Sequence, residues 1–133
     1  MKYLMDTHIL IWLCVSPEKV PKSIMRTLEN PENALCVSTV SLWEIAIKLS
    51  VGKLDLRGID LPDIADMCAE QGIEIVQFPV SAALQYRMLP LKENHKDPFD
   101  RALISLCIAE SYTFLSADAK LAQYEPDGLR VIS

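Results

Sequence analysis

KYLMDTHILIWLCV, residues 2–15, places a short apolar run directly before an acid and a second apolar segment. Residues 2–5 have the pattern of a buried β-strand that ends at Asp6. Residues 7–15 are predicted to form a helix. An acid that ends a buried strand is hard to explain by packing alone, although an aspartate can also cap the helix that follows. A strand followed at once by a helix indicates an α/β fold.

Short apolar strands and helices alternate along the rest of the chain. Further strands are predicted at 34–37, 73–78, 112–115 and 129–132. Helices are predicted at 23–30, 39–53, 61–71, 81–89 and 98–110. Short apolar strands separated by helices are typical of a parallel sheet covered on both faces. We therefore predict one three-layer α/β domain over residues 1–133, with about five parallel strands.

Composition and charge narrow the classes of function. The 133 residues are 50% hydrophobic and 23% charged, which is typical of a globular domain and excludes a disordered chain. The formal net charge of −5 argues against a simple basic nucleic-acid-binding module, but it does not exclude a nuclease. The sequence has no GxGxxG, P-loop, G-x-S-x-G or HExxH motif, and its two histidines are too few for a zinc hydrolase.

The cysteines and the N-terminal segment predict a cytoplasmic protein. The four cysteines lie among apolar neighbours without a CxxC pair, which favours buried reduced thiols over two disulfides in a secreted domain. Asp6 stands where a signal peptide would be apolar, and the seven-residue apolar run of residues 9–15 is too short to cross a membrane.

Four acids are predicted at one edge of the sheet. Asp6 follows the first strand and Asp118 follows the fourth, whereas Glu44 and Asp100 lie near the start of helices. In right-handed crossovers, helix N-termini lie at the same edge as the carboxyl ends of the strands. Open α/β sheets bind ligands at that edge. We expect the four carboxylates to lie close together.

Each acid also has a structural interpretation. Glu44 completes an S-x-x-E capping box and lies one turn before Lys48, with which it can pair. Asp97 precedes a proline and is suited to cap a helix, which puts Asp100 in a first turn where a carboxylate suits the helix dipole. Asp118 can open the last helix. The convergence of four acids on one edge nevertheless favours a function.

A cluster of four carboxylates requires a compensating positive charge. Mg²⁺ or Mn²⁺ supplies it, because these cations prefer oxygen ligands, and such sites activate water and neutralise phosphate. The side chains next to the acids are candidates for substrate contacts, although Thr7 and Ser116 can also cap helices: Thr7, Ser116, Lys92, His95, Lys96 and Arg101.

Four motifs together resemble the PIN-domain family, and more narrowly the VapC-type toxins of bacterial type II toxin–antitoxin pairs. The motifs are MDTHILIW at 5–12, SLWEIAIK at 41–48, HKDPFDRALI at 95–104 and FLSAD at 114–118. They occur in order over essentially the whole chain. The resemblance implies a Mg²⁺- or Mn²⁺-dependent ribonuclease on a central parallel sheet. It also implies a homodimer that a cognate antitoxin silences by binding over the active site.

The resemblance assigns the catalytic and metal-binding roles to Asp6, Glu44, Asp100 and Asp118, with one or two ions between them. Asp97 is an additional acid of the DPFDR motif that can reach a metal through water, although capping is enough to explain it. Water activated at this site would hydrolyse an RNA phosphodiester and leave a 5′-phosphate and a 3′-hydroxyl.

Two other functions fit the same acids. The chain can be a non-catalytic module whose acidic edge docks a basic partner segment, such as an antitoxin tail. It can also be a phosphohydrolase of small phosphate esters, although the missing phosphate loop counts against this. Ile9, Ile11 and Trp12 are candidates for a dimer face, with core packing as the default.

Overall fold

Five strands form one parallel sheet in the computed structural model, which describes residues 1–133. They are β1 (Lys2–Met5), β2 (Ala34–Ser38), β3 (Glu74–Val76), β4 (Thr113–Leu115) and β5 (Arg130–Ile132), in the order β3-β2-β1-β4-β5. The predicted parallel sheet is confirmed. The third strand is shorter than the predicted 73–78, because its pairing with β2 stops where Val76 faces Ser38, the last residue of β2.

Six α-helices cover the sheet. They are α1 (Thr7–Val15), α2 (Lys22–Glu29), α3 (Thr39–Ser50), α4 (Leu61–Glu70), α5 (Val80–Met88) and α6 (Pro98–Glu110), and 3₁₀ helices cover Pro17–Lys19 and Ala119–Asp127. The helix that Asp118 was predicted to open is therefore a 3₁₀ helix, with Pro126 inside it. None of these helices combines the length and the apolar character needed to cross a lipid bilayer.

The hydrophobic core consists of two clusters, one on each face of the sheet. Alternate side chains of a strand point to opposite faces, so Leu4 and Met5 belong to different clusters. The Leu4 cluster takes most of its helical residues from α5, α6 and the 3₁₀ helix Ala119–Asp127. The Met5 cluster takes them from α1, α2, α3 and α4. This arrangement confirms the predicted three-layer α/β architecture.

The strand order reverses beside β1. The chain places β2 and β3 on one side of β1 and then returns to add β4 and β5 on the other side. Open α/β sheets bind ligands at such a point, outside the carboxyl ends of the strands. Asp6 lies there, and its backbone N–H donates to Leu115 O on the neighbouring β4 at 2.9 Å.

Helix α3 begins earlier than the capping-box interpretation requires. Ser38 caps it by accepting a hydrogen bond from Val40 N, so that Ser41 and Glu44 both lie inside the helix. The capping-box interpretation of Glu44 is therefore wrong. The interpretation of Asp97 as a cap is confirmed, because its Oδ1 accepts from the N–H groups of Phe99 and Asp100 at the start of α6.

Ile9 does not contribute to a surface, because it is fully buried in the Met5 cluster. The default interpretation of core packing is therefore confirmed for Ile9, whereas Ile11 and Trp12 are half-buried. Large apolar side chains are exposed on two helices other than α1. They are Trp43 and Ile47 on α3, Val51 directly after it, and Val80, Leu84 and Met88 on α5. The four cysteines are free, and three of them are buried, as their apolar neighbours predicted.

Candidate active site

The structure brings the four predicted acids together at the carboxyl edge of the sheet. A cavity of about 210 Å³ opens there, and Asp6, Glu44, Asp97 and Asp100 line it. Asp118 is not among the lining residues, but one of its carboxylate oxygens lies within 4.8 Å of one of Asp100. Asp100 is therefore the residue that the two halves of the cluster share. A second, mostly apolar cavity of about 520 Å³ lies away from the acids.

Asp6 is fixed through both carboxylate oxygens. Its Oδ2 accepts a 2.6 Å hydrogen bond from Ser116 Oγ and lies 3.3 Å from His8 Nδ1. Its Oδ1 accepts from Thr7 N at 2.7 Å. The residue is only 3% exposed, and this burial raises the pKa of Asp6 despite the favourable contacts.

Glu44 is buried with only half of its carboxylate satisfied. Its Oε2 accepts from Lys48 Nζ at 2.8 Å, whereas its Oε1 has no hydrogen-bond partner. A buried oxygen without a partner is costly unless a ligand completes it. The hydrogen bond to Glu44 raises the pKa of Lys48, and the charges of Asp97 and Asp100 act in the same direction. The i,i+4 pair is thus confirmed, but it leaves the second, buried carboxylate oxygen of Glu44 without a partner.

The pKa of Asp100 is affected by burial and by all the other acids of the cluster. Burial raises the pKa of Asp100 to about 7, and the negative charges of Asp6, Asp97, Glu44 and Asp118 add to the effect. A cation bound at the cluster would oppose this shift, because it would favour the ionised carboxylate.

Asp118 and Asp6 are joined by one hydroxyl group. Ser116 Oγ, besides donating to Asp6, accepts from Asp118 N at 3.2 Å. Asp118 Oδ1 in turn caps the following 3₁₀ helix by accepting from Lys120 N, as the alternative interpretation predicted. Ser116 is fully buried, so it orients the acids and does not face a substrate.

Thr7 connects two helices at the site. Its hydroxyl donates to Ser41 Oγ at 2.9 Å and thereby ties α1 to α3 beside the cavity. Since the hydroxyl proton is used and the residue is buried, its contribution is to hold Asp6 and Glu44 in place.

His95, a candidate for substrate contacts, is buried against the acids. Its Nε2 lies 3.5 Å from Asp118 Oδ2 and 3.6 Å from Asp100 Oδ2, and its Nδ1 lies 2.9 Å from Tyr124 Oη. A short turn in which His95 N donates to Lys92 O folds the loop inward. The pairing partner Tyr124 lies 29 residues away, and no sequence spacing indicates it.

Arg101 does not reach a substrate. Its guanidinium is buried and donates to Leu89 O, Pro90 O and Tyr124 Oη. The prediction of a phosphate contact is wrong for this residue, because the carbonyl groups of the preceding loop use its donors. Lys92 also has other partners, since its Nζ lies 3.6 Å from Asp127 Oδ2 and over the Tyr124 ring. Lys96 is exposed and makes no ion pair.

A family model for the PIN domain matches residues 3–125. The chain belongs to the PIN-domain family. A comparison with curated proteins finds no match.

Solved structures with the same fold cover nearly the whole of this PIN domain. VapBC2 from Rickettsia felis, bound to a DNA fragment from its promoter, is 20% identical with a TM-score of 0.74, over 99% of this chain and 98% of that one. VapBC-1 from nontypeable Haemophilus influenzae is 19% identical with a TM-score of 0.69, over 100% and 98%. DNA-bound VapBC from Salmonella typhimurium is 14% identical with a TM-score of 0.61, over 99% and 97%.

Two side chains at the site of this PIN domain were missed as functional residues. Lys48 lines the cavity and was interpreted only as a helix partner of Glu44. His8 also lines it and contacts Asp6. The signal for Lys48 was its i,i+4 spacing from an acid inside a helix, which places both side chains on one face.

The donor set of this PIN domain fits a hard divalent cation. Carboxylate oxygens are the ligands that Mg²⁺ and Mn²⁺ prefer. The unpartnered Glu44 Oε1 and the raised pKa of Asp100 both fit a cluster that can accept a cation.

Proposed function

We propose that this PIN domain is a VapC-type, metal-dependent endoribonuclease that acts in the cytoplasm as the toxin of a type II toxin–antitoxin pair. The observation that carries the proposal is the meeting of four carboxylates at one edge of the sheet, with the half-buried Asp100 next to Asp6, Glu44 and Asp118. The family supports the same activity, since PIN domains are generally nucleases.

Asp6, Glu44, Asp100 and Asp118 would hold one or two Mg²⁺ or Mn²⁺ ions. Such an ion, when bound, makes water a better nucleophile and neutralises charge on the phosphate. The chain contributes the fixed positions of the ligands, because Ser116 and the backbone N–H of Thr7 hold Asp6. Asp97 caps α6 through Oδ1. We therefore propose that it contributes only its negative charge to the site and does not bind the metal directly.

RNA is the proposed substrate, and cations at the cavity would meet its phosphates. Lys48 lines the cavity with 45% of its side chain exposed, and Lys96 is exposed directly before Asp97. A nucleic-acid backbone attracts such cations without regard to sequence. No side chain of the protein is needed as a nucleophile, and the products would carry a 5′-phosphate and a 3′-hydroxyl.

A cognate antitoxin and a second copy of the chain are the proposed protein partners. The antitoxin proposal draws support from the solved VapBC complexes that share this fold. For the homodimer, the exposed apolar side chains of α3 and α5 offer a surface that α1 does not. Analytical ultracentrifugation of the purified chain tests the homodimer, and a single monomeric species at micromolar concentration would contradict it.

The proposed activity is tested by comparing substrates under controlled metal conditions. Purified protein is incubated with a long single-stranded RNA or with p-nitrophenyl phosphate, in Mg²⁺, in Mn²⁺ and in EDTA. We expect internal cleavage of RNA with either metal, none in EDTA, and 5′-phosphate ends on the fragments. Turnover of the small ester with intact RNA would favour the phosphohydrolase instead.

A non-catalytic docking module is the second candidate, and one contact favours it. Lys48 Nζ already occupies the acidic cavity and satisfies one oxygen of Glu44. A lysine or arginine from a partner could satisfy the remaining oxygens in the same way. This alternative predicts tight binding of a basic peptide and no cleavage of any RNA in Mg²⁺ or Mn²⁺.

A further inference from the structure

The imidazole of His95 has one nitrogen that the fold leaves unused. The side chain is only 4% exposed, and Nε2 is buried without a hydrogen-bond partner. This nitrogen lies between two carboxylates, 3.5 Å from Asp118 Oδ2 and 3.6 Å from Asp100 Oδ2. Buried polar atoms are normally paired, so an unpaired nitrogen that faces two acids points to a missing ligand.

The other nitrogen of His95 has a partner that suits metal binding. Tyr124 Oη lies 2.9 Å from Nδ1, and this oxygen also accepts from Arg101 Nη1 at 3.3 Å. A hydroxyl oxygen has two acceptor sites, so it can accept from Nδ1–H as well. In the tautomer in which Nδ1–H donates to Tyr124 Oη, Nε2 keeps a lone pair that is directed at the acids. Metal-binding histidines are held in this way, with the second ring N–H donated to an oxygen.

The spacing of the three donors suits one cation. Two ligands with bonds of about 2.1 Å lie about 3.0 Å apart when adjacent and about 4.2 Å apart when opposite. The distances from His95 Nε2 to Asp118 and Asp100 fall between these limits, and one ligand atom from each of the three residues lies within 4.8 Å of the others. A small closing movement of one carboxylate would complete the set.

His8, the other histidine, has no nitrogen to offer. Its Nε2 accepts from Ala117 N at 3.3 Å, which leaves Nδ1 to carry the proton and face Asp6 Oδ2. The chain contains two histidines. Any imidazole bound to a metal in this protein can therefore be assigned by removing one or the other.

We propose that His95 Nε2, Asp100 and Asp118 form a second cation site that prefers Mn²⁺ to Mg²⁺. Imidazole nitrogen suits transition metals, whereas Mg²⁺ prefers oxygen ligands alone. The site rests on the proposed function, because it shares Asp100 with the four-acid cluster. It goes beyond that cluster in adding a nitrogen ligand and a choice of metal.

The test is electron spin-echo envelope modulation of the Mn²⁺-loaded full chain, which detects nitrogen bound directly to Mn²⁺. Wild type is measured with natural nitrogen and with ¹⁵N-histidine, so that the assignment to histidine needs no variant. His95→Gln and the matched control His8→Gln are measured alongside. Isothermal titration of Mn²⁺ and Mg²⁺ gives the affinities of all three proteins.

We expect a nitrogen coupling in wild type that changes with ¹⁵N-histidine, persists in His8→Gln and disappears in His95→Gln. The Mn²⁺ affinity of His95→Gln should fall about 10-fold or more, with a much smaller change for Mg²⁺. Bound Mn²⁺ without a nitrogen coupling would overturn the His95 site and leave the four-acid nuclease intact. Failure of wild type to bind either metal would overturn both.

Discussion

Ser116 Oγ donates a 2.6 Å hydrogen bond to Asp6 Oδ2 and so joins the carboxyl ends of β1 and β4 across 110 residues of sequence. The same hydroxyl accepts from Asp118 N. One buried side chain therefore sets the relative position of two acids that come from opposite ends of the chain. The relative position of these two acids depends on the contact between Ser116 and Asp6, which no single local motif contains.

Replacing Ser116 by alanine should loosen Asp6 and weaken metal binding. We expect Mg²⁺ affinity, measured by calorimetry, to fall about 10-fold, because the loss of a group that orients a ligand typically costs this much. The free energy of unfolding should fall by about 1–2 kcal/mol. Ser105→Ala is the matched control, since it removes a buried hydroxyl that bonds only to Arg101 O. Equal Mg²⁺ affinities of the two variants would argue against this role of Ser116.

Lys48 should act as a substitute for the cation in the metal-free protein. Lys48→Met leaves both oxygens of the buried Glu44 unpaired, so the metal-free variant should lose about 1–3 kcal/mol of unfolding free energy. Mg²⁺ should therefore raise the melting temperature of the variant more than that of wild type. Lys53→Met, at an exposed lysine without an ion pair, provides the control. A metal-induced shift no larger in Lys48→Met than in wild type would contradict this interpretation.

Asp100 should make the metal-free protein less stable as the pH rises. Its pKa is about 7 in the folded state against an ordinary value of 3.8. Between these values the folded state keeps a proton that the unfolded state has lost, so the free energy of unfolding decreases with rising pH and levels off above the folded pKa.

Asp100→Asn should remove that dependence. In EDTA at pH 8 the variant should exceed wild type in stability by about 1–2 kcal/mol, a value reduced for solvent screening of the partly exposed carboxyl group. The difference should shrink towards pH 4.5, and saturating Mg²⁺ should reverse it at pH 8. Denaturant unfolding across this pH range measures it, and a difference independent of pH would contradict the raised pKa.

Asp97 should serve α6 as a cap and not the metal as a ligand. An asparagine side chain at this position would still accept the N–H groups of Phe99 and Asp100, so we expect Asp97→Asn to keep its stability and to retain metal binding within a few fold. Asp97→Ala should lose about 1 kcal/mol of unfolding free energy. If Asp97→Asn abolished Mg²⁺ binding in calorimetry, Asp97 would have to be counted among the ligands.

The sequence was sufficient for the architecture because the fold depends on local patterns. Apolar runs bounded by Asp6 and by Ser38 predicted β1 and β2, and Pro98 with its preceding cap predicted the start of α6. Right-handed crossovers then placed the four acids at one edge without any knowledge of side-chain contacts. Element boundaries that are set by pairing between distant strands, such as the early end of β3, were harder to predict from the sequence.

The supporting side chains of the site were harder to predict because their partners are distant in sequence. Arg101 has the charge expected of a phosphate ligand, but its donors are taken by the carbonyl groups of Leu89 and Pro90. His95 lies in a polar segment, but it turns inward and contacts Tyr124. Neither contact follows from periodicity or spacing, since both depend on how the loop before α6 closes over the sheet.

The most direct test of the four-acid site is a titration of Mg²⁺ into wild type, Asp6→Asn and the control Asp60→Asn. Asp60 caps α4 on an exposed surface and lines neither cavity, and asparagine caps equally well. Melting temperature and RNA cleavage are measured on the same samples, because a ligand that binds the native state must raise the melting temperature. We predict that Mg²⁺ stabilises wild type and Asp60→Asn and supports cleavage by both, and does neither for Asp6→Asn. Unchanged melting and intact RNA in wild type, or full cleavage by Asp6→Asn, would contradict the account.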